Sequence, residues 1–385
     1  PYLSRVPALK SLHILHTEAA KGWGGQEIRV LQETTLLLDR GHKVSLICQI
    51  GSPLEEHCRS FAHSRFDFKS ISMDRVMNLR SFIALYRYVS KASPDIIHTH
   101  SSVDSWLAGI VGKISGIPVI RTRHVSLPVK DFFPNHLLYS YIPERILTSG
   151  DVIADIVKHV RCVNPNKVVS ISAGVDLHKF NADISGDKIR KELKVKLGQL
   201  LVGKIGVIRG WKGHNYFLEA IPLVLQKIPD ARFIIVGDGP GFEEIQSKVN
   251  VMGLENQVSL LGHREDIPEI MAALDVQVLA SFAGEGTPQV IPQAFAMKTP
   301  IIATKIASIP ELLGNGERGV LIEPKNALSL AEGVLQIVKK PELANLLVDN
   351  AYAYCRKELM VDKMIDATIA IYKEVVSSSK NNQIS

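Results

Sequence analysis

The residue that promises chemistry most directly is Glu285, in the stretch Ser281-Phe282-Ala283-Gly284-Glu285-Gly286-Thr287-Pro288-Gln289. An apolar run, Val276 to Ala280, precedes it, and an apolar helical pattern follows. The pattern predicts strand, glycine-flanked turn, helix and strand. That order puts Glu285 at the C-terminal end of a parallel strand, where open α/β sheets bind their ligands. The helix start behind it offers free N–H groups to an anion. A plain surface turn is the competing reading of this carboxylate.

A second strand end carries cations. Gly206-Val207-Ile208-Arg209-Gly210-Trp211-Lys212-Gly213-His214 holds Arg209 and Lys212 just before a predicted helix. A planar guanidinium and a point-charge ammonium together make a diphosphate clamp, and a solvated basic turn is the alternative. Gly22-Trp23-Gly24-Gly25-Gln26-Glu27 follows the first predicted strand and opens a helix. Gly24 and Gly25 would let backbone amides approach an anion closely. This is not the G-x-G-x-x-G dinucleotide fingerprint, and a structural turn would also account for it. His124 ends another predicted strand, in Arg121-Thr122-Arg123-His124. His98 and His100 end a further one and read as packing or cleft-wall residues, acceptor contact being the minority reading. No Asp-x-Asp pair occurs in the chain. With Arg209 and Lys212 present, this favours a leaving group stabilised by side-chain cations rather than by a metal.

These residues need a scaffold of strand ends, and the chain supplies one. In the first half, strands are predicted at 12–17, 43–50, 95–99, 118–123, 145–148 and 168–172. In the second half they are predicted at 201–208, 231–236, 257–261, 275–280, 300–304 and 319–322. Helical patterns lie between them, as at 27–39, 104–115, 214–227 and 327–338. The alternation predicts an α/β chain with two doubly wound parallel sheets. The length of 385 residues agrees with two domains. We expect one over 1–175 and the other over 176–360, with a helix at 361–376 and an unordered tail after Ser377.

The composition, 46% hydrophobic and 22% charged, is that of a globular protein. No run reaches the 18 apolar residues of a membrane span, and no secretory leader pattern is visible. Cys48, Cys58, Cys162 and Cys355 lack metal or redox spacing, as in a reduced cytosolic protein. Residues 1–175 hold 21 Lys+Arg against 14 Asp+Glu, and the remainder 24 against 25, so the net +6 is +7 in the first half and −1 in the second. A basic first domain predicts contact with an anionic membrane surface or an acidic acceptor. No basic-aromatic platform supports nucleic acid. The segment 75–91 reads as a basic amphipathic helix with Leu79, Phe82, Ile83 and Tyr86 on one face. Packing on a sheet and interfacial membrane binding both suit it.

The Glu285 stretch, the Lys212 turn and the glycine loop resemble the retaining glycosyltransferases of GT-B architecture, in the large group 1 family of bacterial surface-glycan and lipopolysaccharide type. The resemblance covers nearly the whole chain. It implies two Rossmann-like domains around a cleft, the second binding a UDP- or GDP-sugar donor and the first presenting a glycan or lipid-linked acceptor. It implies no cofactor and no metal, and retention by same-face attack with the leaving phosphate assisting. Residue by residue, it implies that Glu285 binds sugar hydroxyls and that Thr287, Pro288 and Gln289 lie by the diphosphate. Arg209 and Lys212 would hold the phosphates, and Gly24 and Gly25 would face the diphosphate and acceptor. His124 would lie beside the reacting carbon, and His263 and Arg264 near the base. The family pattern has a second glutamate where this chain has Gln293, which would face the ribose. The family arginine usually stands at Val207, two positions before Arg209. In the family the final helix crosses back to the first domain. A nucleotide-sugar epimerase of the same architecture, or an inactive sugar-nucleotide-binding protein, are the alternatives. The enzyme would work in the cytoplasm, peripheral on the inner face of the cell membrane.

Overall fold

The computed structural model describes residues 11–76, 78–130 and 132–384. The chain divides into two compact units. The first runs to His124, resumes over Pro128–Ile171 and takes the chain from Met364 onward; the second holds Val125–Leu127 and Ser172–Lys363.

The first unit is a seven-stranded parallel sheet: β1 His13–Glu18, β2 Lys43–Gln49, β3 Phe66–Ile71, β4 Ile96–Thr99, β5 Val119–Arg123, β6 Arg145–Thr148 and β7 Val168–Ser170. Its order is β3-β2-β1-β4-β5-β6-β7. The second is a six-stranded parallel sheet: β8 Leu201–Ile205, β9 Arg232–Val236, β10 Val258–Leu260, β11 Val276–Leu279, β12 Ile301–Thr304 and β13 Val320–Ile322. Its order is β10-β9-β8-β11-β12-β13. Interior strands are buried along their length, as expected where helices cover both faces of a parallel sheet. Strand order reverses between β1 and β4 in one unit and between β8 and β11 in the other. In open parallel sheets ligands bind at such switch points, outside the strand C-termini. Glu285 and Lys212 lie at one, and the His16–His100 pair at the other.

Three details depart from the sequence expectations. Strand β3 went unpredicted. It is an edge strand whose residues alternate between half-buried and exposed up to Ile71, which is buried, so it lacks the apolar run that marks its neighbours. The basic helix starts later, at Leu79, where Asn78 Oδ1 accepts the free N–H groups of Arg80 and Ser81. The tail is not unordered, because the last helix runs Val361–Ile384. Within the first unit it is tied down by Asp366 to Arg40 at 2.8 Å, by Tyr372 to His98 and by Lys380 to Asp95 at 3.5 Å. Cys48, Cys58 and Cys355 are buried and Cys162 exposed, all as free thiols.

In the second unit, the helix Asp187–Glu192 begins at Gly186 because only glycine fits there. A Cβ at Gly186 would lie 2.3 Å from the backbone of Ala273. Gly186→Ala should therefore destabilise the protein by about 1–3 kcal/mol through overpacking. Gly210→Ala, where no atom lies within 4 Å of the added Cβ, should stay within about 0.5 kcal/mol of the parent. Urea denaturation of the two variants checks this; equal midpoints would refute the packing account.

Candidate active site

In the second unit, the polypeptide after β8 leaves the sheet at Gly206, whose φ of +145° ends the strand earlier than its apolar run suggests. It turns through Arg209–Lys212 and enters the helix His214–Leu225. Gly213 makes this turn possible: its φ is +73°, and a Cβ there would approach Ala280 O to 1.9 Å. The turn is thus pressed onto the end of β11, and Phe282 N donates to Trp211 O at 2.9 Å. Trp211 in turn packs over Gly284, and Arg209 lies 5.6 Å from the Trp211 ring centre. The result is contact between two loops from opposite sides of the switch point.

Glu285 stands where they meet. It is 4% exposed. Its Oε1 accepts from Lys212 Nζ at 2.6 Å and from Ser281 Oγ at 2.5 Å. Ser281 O accepts from Thr304 Oγ1 at 2.5 Å, and Gly286 O accepts from Ser308 Oγ. The acidic turn is therefore fixed from β12 and the segment after it. Pro288 is buried, Thr287, Gln289 and Gln293 are half-buried, and Gln289 caps the helix Val290–Ala296, on which Gln293 rides. Sequence reasoning missed two groups behind this site. Lys204 on β8 is 2% exposed, and its pKa is lowered to about 7, first by burial and then by Lys212, with Glu285 opposing. His214 is 3% exposed with neither ring nitrogen hydrogen-bonded. A lysine inside an otherwise apolar parallel strand, Leu-Val-Gly-Lys-Ile, was the available signal.

The turn after β10 is held by ion pairs. Arg264 bonds Asp266 Oδ1 and Oδ2 at 2.8 and 2.6 Å and Glu192 Oε1 and Oε2 at 2.6 and 3.1 Å. The Arg264 fork is engaged by two carboxylates, which brace this turn. His263 beside it is exposed.

In the first unit, Gly24 caps the helix Gly25–Asp39. The glycine loop is drawn back to β1 by Glu18, which accepts from Ala20 N at 2.9 Å and Gln26 Nε2 at 2.6 Å. Burial, then the nearby Asp104, raises the Glu18 pKa well above the usual range. Across the switch point lies a histidine network. His16 Nδ1 meets His100 Nε2 at 2.8 Å, and His100 Nδ1 meets His124 Nε2 at 3.2 Å. His98 is held by Tyr372 Oη and Thr122 Oγ1, both at 2.6 Å. Behind them Arg29 pairs with Glu33 at 2.8 Å, both fully buried. The predicted His124 is thus the outer member of a chain whose inner members, His16, Arg29 and Glu33, sequence did not single out. His16, Glu33, His98 and His100 offer ligand atoms within 4.8 Å of one another. Since His98 and His100 use both ring nitrogens and Arg29 holds one Glu33 oxygen, the cluster is a hydrogen-bond network rather than an open cation site.

Two parallel-sheet units, each with polar groups gathered at its switch point, make this a doubly wound α/β chain of two domains. Comparison with known proteins makes this specific. The family model for group 1 glycosyl transferases matches residues 185–354, and that for glycosyltransferase family 4 matches residues 23–179. The UDP-Gal:alpha-D-GlcNAc-diphosphoundecaprenol alpha-1,3-galactosyltransferase of Escherichia coli is 29% identical, over 96% of this chain and 99% of its own. The N-acetyl-alpha-D-glucosaminyl L-malate synthase of Bacillus anthracis is 24% identical, over 75% of this chain and 77% of its own. Among solved structures, a glycosyltransferase from Rickettsia africae superposes with a TM-score of 0.84 at 20% identity, covering 95% of this chain and 99% of its own. Anabaena HepE in complex with UDP and glucose superposes with a TM-score of 0.80 at 20% identity, covering 94% of this chain and all of its own. The chain belongs to the group 1 glycosyltransferases of GT-B architecture, and it is a glycosyltransferase.

The buried histidines set a pH dependence. Burial pushes the His16 pKa down to about 3, and burial reinforced by Lys204 and Lys212 pushes His214 to about 2. Burial also holds His98, His100 and His124 well below 6.5. Unfolded, each takes a proton near 6.5, so the unfolded chain binds more protons below that pH and stability falls as pH falls. Glu18 and Asp104, whose pKa values burial raises, act in the opposite direction but are outnumbered. Thermal melts should show Tm still rising above about pH 7, where folded Lys204 has lost a proton that the unfolded chain keeps, and dropping steeply from about pH 6.5 to 5. A level Tm across that window would show that these histidines are not buried neutral.

Proposed function

We propose that this glycosyltransferase transfers a sugar from a uridine diphosphate sugar to a lipid-linked or surface-glycan acceptor, with retention and without a metal. The observation that carries the donor reading is buried Glu285 paired with half-buried Lys212 at the β8/β11 switch point, with Arg209 on the same turn. Glu285 receives the sugar hydroxyls, and Lys212 and Arg209 take the diphosphate, whose negative charge grows as the bond to the sugar breaks. Groups that meet that growing charge act on turnover more than on binding. Thr287, Pro288 and Gln289 lie along the diphosphate and Gln293 by the ribose, while His263 is left for the base. Gly24, Gly25 and His124 serve the first unit's side of the reaction, as the family resemblance assigns them. UDP as the nucleotide is supported by its presence in the HepE complex and in the name of the Escherichia coli relative. The lipid-linked acceptor is supported by that same relative's name. A product assay with UDP- and GDP-sugars tests the reading. We expect nucleotide release coupled to α-linked product with a UDP-sugar, undiminished by EDTA. Lys212→Ala should lower turnover by about 100-fold or more. Near-normal turnover in Lys212→Ala would remove the clamp, while epimerised donor, or none consumed, would favour an epimerase or an inactive binder.

The acceptor's lipid would be met at a membrane surface. Among the described residues no helix is long and apolar enough to cross a membrane. The helix Leu79–Ala92 instead supports surface binding. It docks on its unit through Ser81, Leu85 and Val89. Leu79, Ile83 and Tyr86 are left 71%, 41% and 41% exposed, with Arg80, Arg87 and Lys91 exposed beside them. One helix thus serves both predicted purposes on different faces, with Phe82 packed toward the core and three apolar residues outward. Each basic residue near an anionic surface adds about 1 kcal/mol, screened by salt. Vesicle flotation should show salt-sensitive binding to anionic vesicles and none to neutral ones. Changing Arg80, Arg87 and Lys91 to Gln should weaken it with no change in Tm. Indifference to anionic vesicles at low salt would point to a soluble acceptor.

A further inference from the structure

Lys204 is an unusual residue in an unusual place. It lies two positions beyond Val202 on β8, so it shares the face that packs against Phe217 and Leu218 of the helix His214–Leu225. A lysine buried to 2% exposure is rare unless paired, yet among the described residues no hydrogen bond or ion pair meets its ammonium. The charged and titratable groups around it come from three elements: Lys212 from the turn, His214 from the helix start and Glu285 from the loop after β11. Lys212 opposes its charge and Glu285 favours it.

The reading of Glu285 and Lys212 as donor contacts, on which this inference rests, creates a difficulty that Lys204 resolves. The two are bonded to each other at 2.6 Å. Lys212 Nζ keeps two further N–H donors, but drawing its charge toward a diphosphate weakens its hold on Glu285, which is 4% exposed. An unpaired buried carboxylate is strongly unfavourable. The buried amine that Glu285 helps to protonate is Lys204, on β8 behind the pair. We propose that Lys204 takes over as the counter-ion of Glu285 when Lys212 turns to the nucleotide diphosphate, and that it takes up one proton from solvent as it does so.

The protonation balance fits this exchange. With Lys212 in place, burial and the neighbouring ammonium hold the Lys204 pKa at about 7, so above that pH the free protein carries it largely as the amine. Removing Lys212 from Glu285, and bringing in a diphosphate, takes away the charge that opposes protonation and leaves the one that favours it. The amine becomes an ammonium, and the net charge buried at the site is unchanged.

Calorimetry of UDP binding tests this. At about pH 8, one unit above the folded value, titrations in two buffers of different ionisation heat report the protons taken up. The wild type should take up close to one proton per UDP. Lys204→Met should bind UDP about tenfold more weakly with no uptake. Lys204→Arg, charged at every accessible pH, should bind UDP, also with no uptake, and covers the case in which the Met variant does not fold. Glu285→Gln, which removes the carboxylate and keeps Lys204, should lose the uptake. UDP binding by the wild type with no buffer dependence, or uptake undiminished in the Lys204 variants, would overturn the exchange while leaving the donor reading intact. Failure of the wild type to bind UDP would overturn both.

Discussion

The salt bridge between Lys212 and Glu285 is the contact around which the second unit's switch point is organised. A carboxylate so buried keeps its charge only with a cation and hydrogen-bond donors at hand. Lys212 Nζ and Ser281 Oγ both meet Oε1. Their placement depends on backbone features that have no chemistry of their own. Gly213 lets the turn lie on the end of β11, Gly284 leaves room for Trp211, and Thr304 fixes Ser281 from the next strand. The loops after β8, β9 and β10 are also joined: Ile208 N donates to Asp238 O and Gly237 N to Gly262 O, both at 2.8 Å. The charged pair therefore rests on a platform of strand ends rather than on a free loop.

The first unit solves a related problem with neutral groups. Its switch point is lined by histidines that burial keeps uncharged, with a fully buried Arg29–Glu33 pair behind them. Chains of imidazoles orient one another, because each nitrogen that accepts obliges the other to donate. His124, at the outer end, inherits its orientation from His100 and through it from His16.

Much of this was legible in the sequence. Short apolar runs such as Phe233-Ile234-Ile235-Val236 read as strands covered on both faces, and their alternation with helical patterns leaves few topologies. Strand-end positions then picked out Glu285, Lys212 and His124. The less legible parts share a cause. Strand β3 carries the half-exposed signature of an edge, which local composition does not separate from a loop. The bonds of His98 to Tyr372, 274 residues away, and of Lys212 to Glu285, 73 residues away, are products of topology, invisible to any window of sequence. Arg264 shows the converse. Its position at a strand end was read correctly, but its partners Glu192 and Asp266, one of them 72 residues earlier, use the guanidinium for bracing.

The last helix has a consequence for how the protein is made. From Met364 the chain belongs to the first unit, and Tyr372 and Thr368 are fully buried there. On the ribosome, domains fold as units in the order they emerge. Here the sheet that emerges first lacks a wall until the helix from Met364 onward is released, some 190 residues after β7 is complete. During that interval the polar interior around His98 is open on the side that Tyr372 later closes. The first unit thus begins folding before the second and finishes after it. A nascent chain stalled anywhere in the second unit exposes the same unfinished surface, a natural target for chaperones and for quality-control proteases.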